Sequence, residues 1–541
     1  MLRRLLLPLV LLVAAAPQVR AQDAPTVVVR IRSLDTLTDN IKLLVALAGR
    51  EEIAQQVEGL IKTKIGAKGL EGIDPGRPVG AYARIGKDLE EVSGVALVPI
   101  ADEKAFLTLL ENLNFPATKG KNDVYTIRTG TAFDLYFRFA NKYAYVTALN
   151  PGFIDDNKLL TPDKVFPANQ TAAISAVVRL DQVPDAAKLI ALAQMEQELA
   201  NAQQKDQPGE SPTQKALRVQ VLKEVARVFG NIVKDGSQLQ AEIDINKQTS
   251  ELSVNLSLSG QPRSELAESI ANIGQLKSVF AGIGGAAPAV RGGVHVILPP
   301  TVQKSFNDLI EETRAKALAS IQDAAKRKQA ETLFDALMPT LKTGEVDAAL
   351  VLQGPNKDRH LTLLAGIKLK DGDKLGKTVH DLVLQLMKDI PPAEAAKIKL
   401  EADTAGAVKI HRLDFGGNLD KNAREAFGEH PIYVAFRNDA AFLALGPDGL
   451  SAIKDAVTGK NAGTNPPVHL EIALAKLAPL LAKTDDQRDT VAKVFRPGDD
   501  GKIRFTIDGG SSLKLHFTTK LSVVGFFSQF VVKGEAKFGG R

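Results

Sequence analysis

The chain has 541 residues, 44% of them hydrophobic, with 68 Lys plus Arg against 63 Asp plus Glu, 22 Phe, 6 Tyr, no Trp and no Cys. The lack of cysteine excludes disulfides, thiol catalysis, thiolate-built zinc sites and a cysteine-linked lipid anchor. A formal net charge of +5 over so long a chain lacks the concentrated positive field that nucleic acid requires, and the lack of Trp weighs against stacking on sugar faces.

Met1-Leu2-Arg3-Arg4 sets two positive charges ahead of an apolar run from Leu5 to Ala16, and Val19-Arg20-Ala21 suits the minus-three to minus-one positions of a cleavage site. This pattern predicts a cleavable export signal over residues 1–21, cut after Ala21. The apolar run is shorter than the roughly 20 residues that span a bilayer as a helix. Arg3-Arg4 resembles a twin-arginine pair, but Leu5 follows directly, which favours the general secretory route. Losing Arg3, Arg4 and Arg20 lowers the net charge from +5 to about +2. A large exported chain without cysteine points to the periplasm or surroundings of a bacterium.

Past Gln22, Val27-Val28-Val29-Arg30 predicts a strand, and Ile41, Leu44, Val45 and Leu47 fall at helical spacing within residues 35–64. Residues 135–149 alternate apolar and polar side chains around Asn141, the pattern of a hairpin. A second strand-to-helix opening occurs at Ala176 to Leu180, and a polar loop over 203–214 separates two helical stretches. Leu239 to Ile245 and Leu252 to Leu258 read as a strand meander. Gly282 to Pro288 is a run of small residues suited to a linker. The same series follows: a strand near Val294, helical spacing across 301–341, a strand over 361–370, a helix over 379–387, a hairpin around Asn438, a strand at Val468 to Ile472, and a meander of 503–507 with 513–517 turned by Asp508-Gly509-Gly510. The apolar run Leu521 to Val532 is too short to span a membrane and predicts a buried helix or strand.

The two series match residue by residue in places. Val225-Ala226-Arg227-Val228-Phe229 returns as Val491-Ala492-Lys493-Val494-Phe495, about 266 residues later. Val79 and Ala81 correspond to Val346 and Ala348 at nearly the same offset, and the hairpin with Tyr136, Phe139 and Asn141 corresponds to the one with Tyr433, Phe436 and Asn438. The expectation is an α+β fold, an internally duplicated two-lobed protein in which each lobe has antiparallel meanders with helices packed on one face. The expected divisions are a signal over 1–21, first-half subdomains over 22–165 and 166–282, a linker over 283–291, and second-half subdomains over 292–460 and 461–541.

Gly372-Asp373-Lys374-Leu375-Gly376-Lys377-Thr378 lies between a strand and a helix like a phosphate-binding loop, but has three residues where that loop needs four before Gly-Lys-Thr. The matching junction of the first half, residues 95–104 leading into a helix, has no glycine loop. An ordinary turn with Asp near the helix start accounts for both. The histidines are His295, His360, His380, His411, His430, His469 and His516, all late in the chain and none at metal-binding helical spacing. His295 and His411 sit in strands from which they could converge with carboxylates, though surface or packed roles are the simpler expectation. Gly509-Gly510-Ser511-Ser512 reads as a turn and not as a nucleophile elbow. Asn169-Gln170-Thr171 and Asn255-Leu256-Ser257 are glycosylation acceptors only in a eukaryotic secretory path. No catalytic, cofactor or metal residue is therefore assigned, and no cofactor is implied. The expected function is exported, non-enzymatic binding or scaffolding with a protein or an apolar small molecule as partner. A carrier of a lipid or other apolar ligand is the first alternative, and a hydrolase without local signature the second.

Overall fold

The computed structural model describes residues 24–47, 70–86, 92–130, 133–148, 150–205, 207–285, 287–459 and 465–532. The expected export signal and its cleavage site at Ala21 lie outside the described residues, as does the extension of the first helix beyond Leu47. In chain order the strands begin with β1 (Val27–Ile31), β2 (Val79–Ile85), β3 (Val92–Pro99), β4 (Ala117–Lys119), β5 (Tyr125–Ile127), β6 (Leu135–Ala140), β7 (Tyr143–Ala148), β8 (Ile174–Arg179), β9 (Gly236–Asn246) and β10 (Glu251–Gly260). They continue with β11 (Val290–Ile297), β12 (Glu345–Gln353), β13 (Thr362–Lys368), β14 (Ile398–Ala405), β15 (Val408–Leu413), β16 (Ile432–Arg437), β17 (Ala440–Leu445), β18 (Val468–Ala473), β19 (Lys502–Asp508) and β20 (Leu513–Lys520). The registered pairings are antiparallel and helices are interspersed among the strands, so the fold is α+β.

Two compact units form. The first contains the described residues up to Glu196, Gly230–Ile270 and those from Ser511 onward. Its strands pair in the order β4-β5-β6-β7-β3-β2-β1-β8-β9-β10-β20. One face buries Val28, Tyr82, Val95, Leu97, Tyr143 and Tyr145 beneath Phe153, Ile154, Leu160, Val165 and Phe166 of the following segment. On the other face, helix Glu103–Asn112 drives Phe106 edge-on against Phe137 at 5.9 Å. Asp102 caps that helix by accepting from the Ala105 N–H at 2.8 Å, the role expected of it from sequence.

The second unit contains Gln197–Phe229 and Ala271–Gly510. Its order is β19-β18-β11-β12-β13-β17-β16-β15-β14. This is the first unit's β9-β8-β1-β2-β3-β7-β6-β5-β4, taken again further along the chain. Val351, Leu364, Ile410, Ala435, Phe442, Ala444 and Ile453 form the main core, covered by helix Gly449–Thr458. Helix Gly372–Asp389 packs Leu375 and Val379 with Phe436 and Ala441, which face the other way. Helices therefore lie on both faces of this end of the sheet, where one face was expected. The cause is local: β16 and β17 carry apolar residues on both sides, as strands do when both faces must be covered.

Three boundaries depart from the pattern read in the sequence. The small-residue stretch after Ala281 enters the second unit's core through Ile283 and Ala289, and Gly284, at φ 86, lies where a Cβ would meet Val351 at 2.5 Å. The helical stretch 301–341 is two helices, Pro300–Ser320 and Ala324–Leu341, the second capped by Asp323, which accepts from Ala325 and Lys326 N–H. The tail keeps the expected meander and gains a second partner strand. β20 pairs with β10 from Glu251↔Lys520 to Leu258↔Leu513, and helix Leu521–Val532 docks on helix Leu34–Leu47, where Gln529 donates to the Leu47 carbonyl at 3.1 Å. An open strand edge seeks any compatible partner, and alternation does not name it. No helix among the described residues is long and apolar enough to cross a membrane.

Deleting residues 511–541 should therefore loosen a part of the chain some 250 positions upstream. Hydrogen exchange should show lost protection of β10 amides in the truncated chain; full retention of that protection would contradict the pairing.

Candidate functional site

Cross-strand neighbours in an antiparallel sheet share a face. In the second unit one such row reads Phe505, Leu470, Gly292, Leu350, Ala365, Leu443, Val434 and then His411. Everything before His411 is apolar or glycine. Leu470, Leu350 and Leu443 remain 38%, 42% and 38% exposed, and Val346 and Ile367 on the same face are also exposed. An antiparallel sheet with one wet face ordinarily turns polar residues to it, so a wet face of Leu, Ile and Val is the informative departure.

His411 ends the row at the wall of a cleft of about 430 Å³ between helix Gly372–Asp389 and β14–β16. His380 reaches in from the helix, its ring centre 6.0 Å from that of His411. Between them stands Glu401, at φ 52 in a left-handed conformation, where the β14–β15 register shifts between Lys399 and Asp403. Such a bulge re-aims a side chain that a regular strand would point elsewhere. The Glu401 carboxylate accepts from Lys409 Nζ at 2.6 Å and lies 3.6 Å from His380 Nε2. The hydrogen bond from Lys409 holds its pKa below the ordinary carboxylate value. The Glu401 N–H donates to His411 Nδ1 at 3.2 Å, which requires a lone pair on Nδ1 and puts the neutral ring's proton on Nε2. Burial lowers the His411 pKa, and His380 adds to the effect, with Glu401 opposing.

The stretch Gly372 to Thr378 supplies Asp373, Gly376 and Lys377 to this wall. It is no phosphate cradle. Gly372 N–H donates to the Asn438 carbonyl at 2.8 Å, Lys374 N–H is spent on Asp371 at 3.0 Å, and Gly376 sits inside the helix against Phe436. Gly372 is required by close approach, since a Cβ there would lie 2.2 Å from the Arg437 carbonyl. Asp371 precedes the helix at φ 60 without a side-chain cap bond, unlike Asp102.

Of the two histidines singled out from their strands, His295 contacts a carboxylate directly, whereas His411 accepts from the Glu401 backbone. His295 is buried, its Nε2 2.7 Å from Glu345 Oε1, which also accepts from Lys368 Nζ at 2.6 Å. Burial pushes the Glu345 carboxyl up, but Lys368 and His295 outweigh it and hold the pKa below the ordinary value. His360 and His430 pair edge-on at 6.1 Å, His469 faces the Pro466 carbonyl at 3.2 Å, and His516 bonds Asn255. No group of three or more metal-ligating side chains is poised for an ion among the described residues. The Glu401 bulge had no sequence signal, because nothing local marks a residue that a register shift turns inward.

The His411 pKa should lie below 6.5. Glu401→Gln should lower it further, because Glu401 is the neighbour that raises it; histidine NMR titration reads both, and an upward shift in the variant would contradict the geometry. The sign for stability follows. The unfolded chain takes up this proton first as pH falls through about 6.5, so His411 contributes a loss of stability on the acid side. Comparison with protein-family models, with curated proteins and with solved structures finds no match for this chain.

Proposed function

We propose that the protein is a non-enzymatic binding protein for an amphipathic, mostly apolar molecule such as a lipid. The ligand's chain lies along the exposed sheet face of the second unit and its polar end in the His380–His411 cleft. The observation that supports this is the single register row from Leu470 through Leu350 and Leu443 into His411. Apolar and polar side chains thereby lie end to end, the arrangement that an amphipathic ligand would match. Each methylene buried there contributes about 0.8 kcal/mol. Lys377, Lys409 and the two histidines, balanced by Asp373, Asp381 and Glu401, suit a polar or zwitterionic head better than a strongly charged one.

Among the described residues the cleft lining offers no hydroxyl or thiol, which disfavours a hydrolase with such a nucleophile. Export by the Met1–Ala21 signal would set this binding in the periplasm or outside a bacterium. The matching strand orders of the two units, with the Val225–Phe229 and Val491–Phe495 match, support one duplication as their origin.

Native mass spectrometry with lipid extraction, on protein purified without detergent, should show a stoichiometric apolar adduct. Leu350→Glu or Leu443→Glu should weaken displacement of a fluorescent fatty acid roughly tenfold or more while leaving the melting temperature nearly unchanged, because both side chains are already half wet. An adduct-free mass together with no displacement would defeat the carrier reading and leave scaffolding.

A further inference from the structure

The first unit holds a second, unrelated cavity. It measures about 30 Å³ and is lined by Tyr82 and Arg84 of β2, Ser93 of β3, and Asn150, Phe153 and Lys158 of the segment that covers them. On this measure a water takes about 10–15 Å³, so the space admits one or two species of that size. Arg84 and Ser93 are direct cross-strand partners, as are Tyr82 and Val95.

The polar groups around it are poorly satisfied. Arg84 is 8% exposed, and its Nε has no hydrogen-bond partner. Its Nη1 donates to the Lys158 carbonyl at 3.3 Å, and among the described residues no carboxylate forms an ion pair with it. Tyr82 is 2% exposed; the Leu160 backbone bonds its oxygen, while its hydroxyl proton finds no acceptor among the described residues. The Leu160 carbonyl accepts from Tyr145 Oη at 2.7 Å. Burial raises the Tyr82 pKa, so the hydroxyl stays protonated and can donate. Asn150 spends its Oδ1 on the Gly152 N–H at 2.8 Å, which leaves its amide nitrogen. Lys158 adds a second positive charge, shared with the Gly152 carbonyl at 2.8 Å and Asp155 at 3.6 Å.

A buried guanidinium without a counter-charge is costly, and unpaired donors that share one cavity call for a common acceptor. The second unit shows that the strand frame does not demand these residues. By the strand register that matches Ala96 with Ala365, Tyr82 and Arg84 correspond to Val351 and Gln353, and their cross-strand partners Val95 and Ser93 to Leu364 and Thr362. There Val351 and Leu364 pack with Phe280, the Gln353 amide donates to the Gly284 carbonyl at 3.2 Å and Thr362 Oγ1 accepts from the Asp448 N–H at 3.1 Å, so among the described residues no charge and no unpaired donor is present.

We propose that the Tyr82–Arg84 cavity is a binding site for a single inorganic anion of halide size, held by Arg84 Nε and Tyr82 Oη. The test uses the full chain in sodium gluconate, titrated with sodium bromide and followed by melting temperature, with anomalous diffraction from bromide-soaked crystals. The expected result is one bromide peak within hydrogen-bond distance of Arg84 Nε and Tyr82 Oη, and a saturable rise in melting temperature. Tyr82→Phe should weaken the apparent bromide affinity roughly tenfold, and Arg84→Met should abolish the rise; Tyr82→Phe carries the test if Arg84→Met does not fold. Water alone in the cavity, or an equal rise with added gluconate, would overturn the proposal. So would a bromide peak without a saturable gain, which would mean an adventitious ion only.

Discussion

The constraint on which the structure turns is that its central strands are apolar on both faces. β12 alternates Asp347, Ala349 and Val351 toward the core with Val346, Ala348, Leu350 and Leu352 on the other side, and both series are dominated by small or branched apolar residues. Such a sheet must be covered twice or remain partly wet. Helix Gly449–Thr458 covers one face, and helix Gly372–Asp389 covers only the β16–β17 end of the other. What stays wet is the Leu470–Leu350–Leu443 row, and its helix-covered end is where the polar cleft forms.

One strand frame carries two different fillings. In the first unit the corresponding row runs Leu515, Leu256, Ala241, Ala176, Val29, Ala81, Ala96, Val146, Phe137 and Tyr125. It ends in an aromatic cluster under helix Glu103–Asn112, with Tyr125 stacked on Phe137 at 5.0 Å. In the second unit the place of Tyr125 is taken by His411, and a cleft opens where the aromatics would pack. The exchange runs the other way beneath the sheet, where Tyr82, Arg84 and Ser93 stand against Val351, Gln353 and Thr362, and the ring and the charge are lost. Charged side chains thus gather at opposite ends of two like frames, so they are set by side-chain choice and not by the sheet.

Legibility divided along the same line. The hairpins around Asn141 and Asn438, the Asp102 cap and the non-phosphate nature of Gly372 to Thr378 were all readable, because each depends on residues a few positions apart. Asn141 and Lys142 adopt φ 50 and 61, the left-handed pair that a tight hairpin turn requires. The apolar spacing over 301–341 persists across the break that Asp323 caps, so periodicity does not mark where one helix ends and the next begins. The small residues near Gly284 read as a linker, yet Gly284 is small because Val351 lies against it. His295 and His411 were visible as strand histidines, but Glu345 and Glu401 were two among 63 acids.

The sequence by itself determined the element types, the antiparallel meanders, the α+β class and the cysteine-free chemistry, because periodicity and turn residues act over a few positions. Only the tertiary structure decided that β20 closes the edge of β10, that a bulge turns Glu401 toward two histidines, and that the unpaired donors of Tyr82 and Arg84 share one cavity. Those outcomes depend on which distant edges and side chains meet, and pairing energy is nearly the same for many registers until burial selects one.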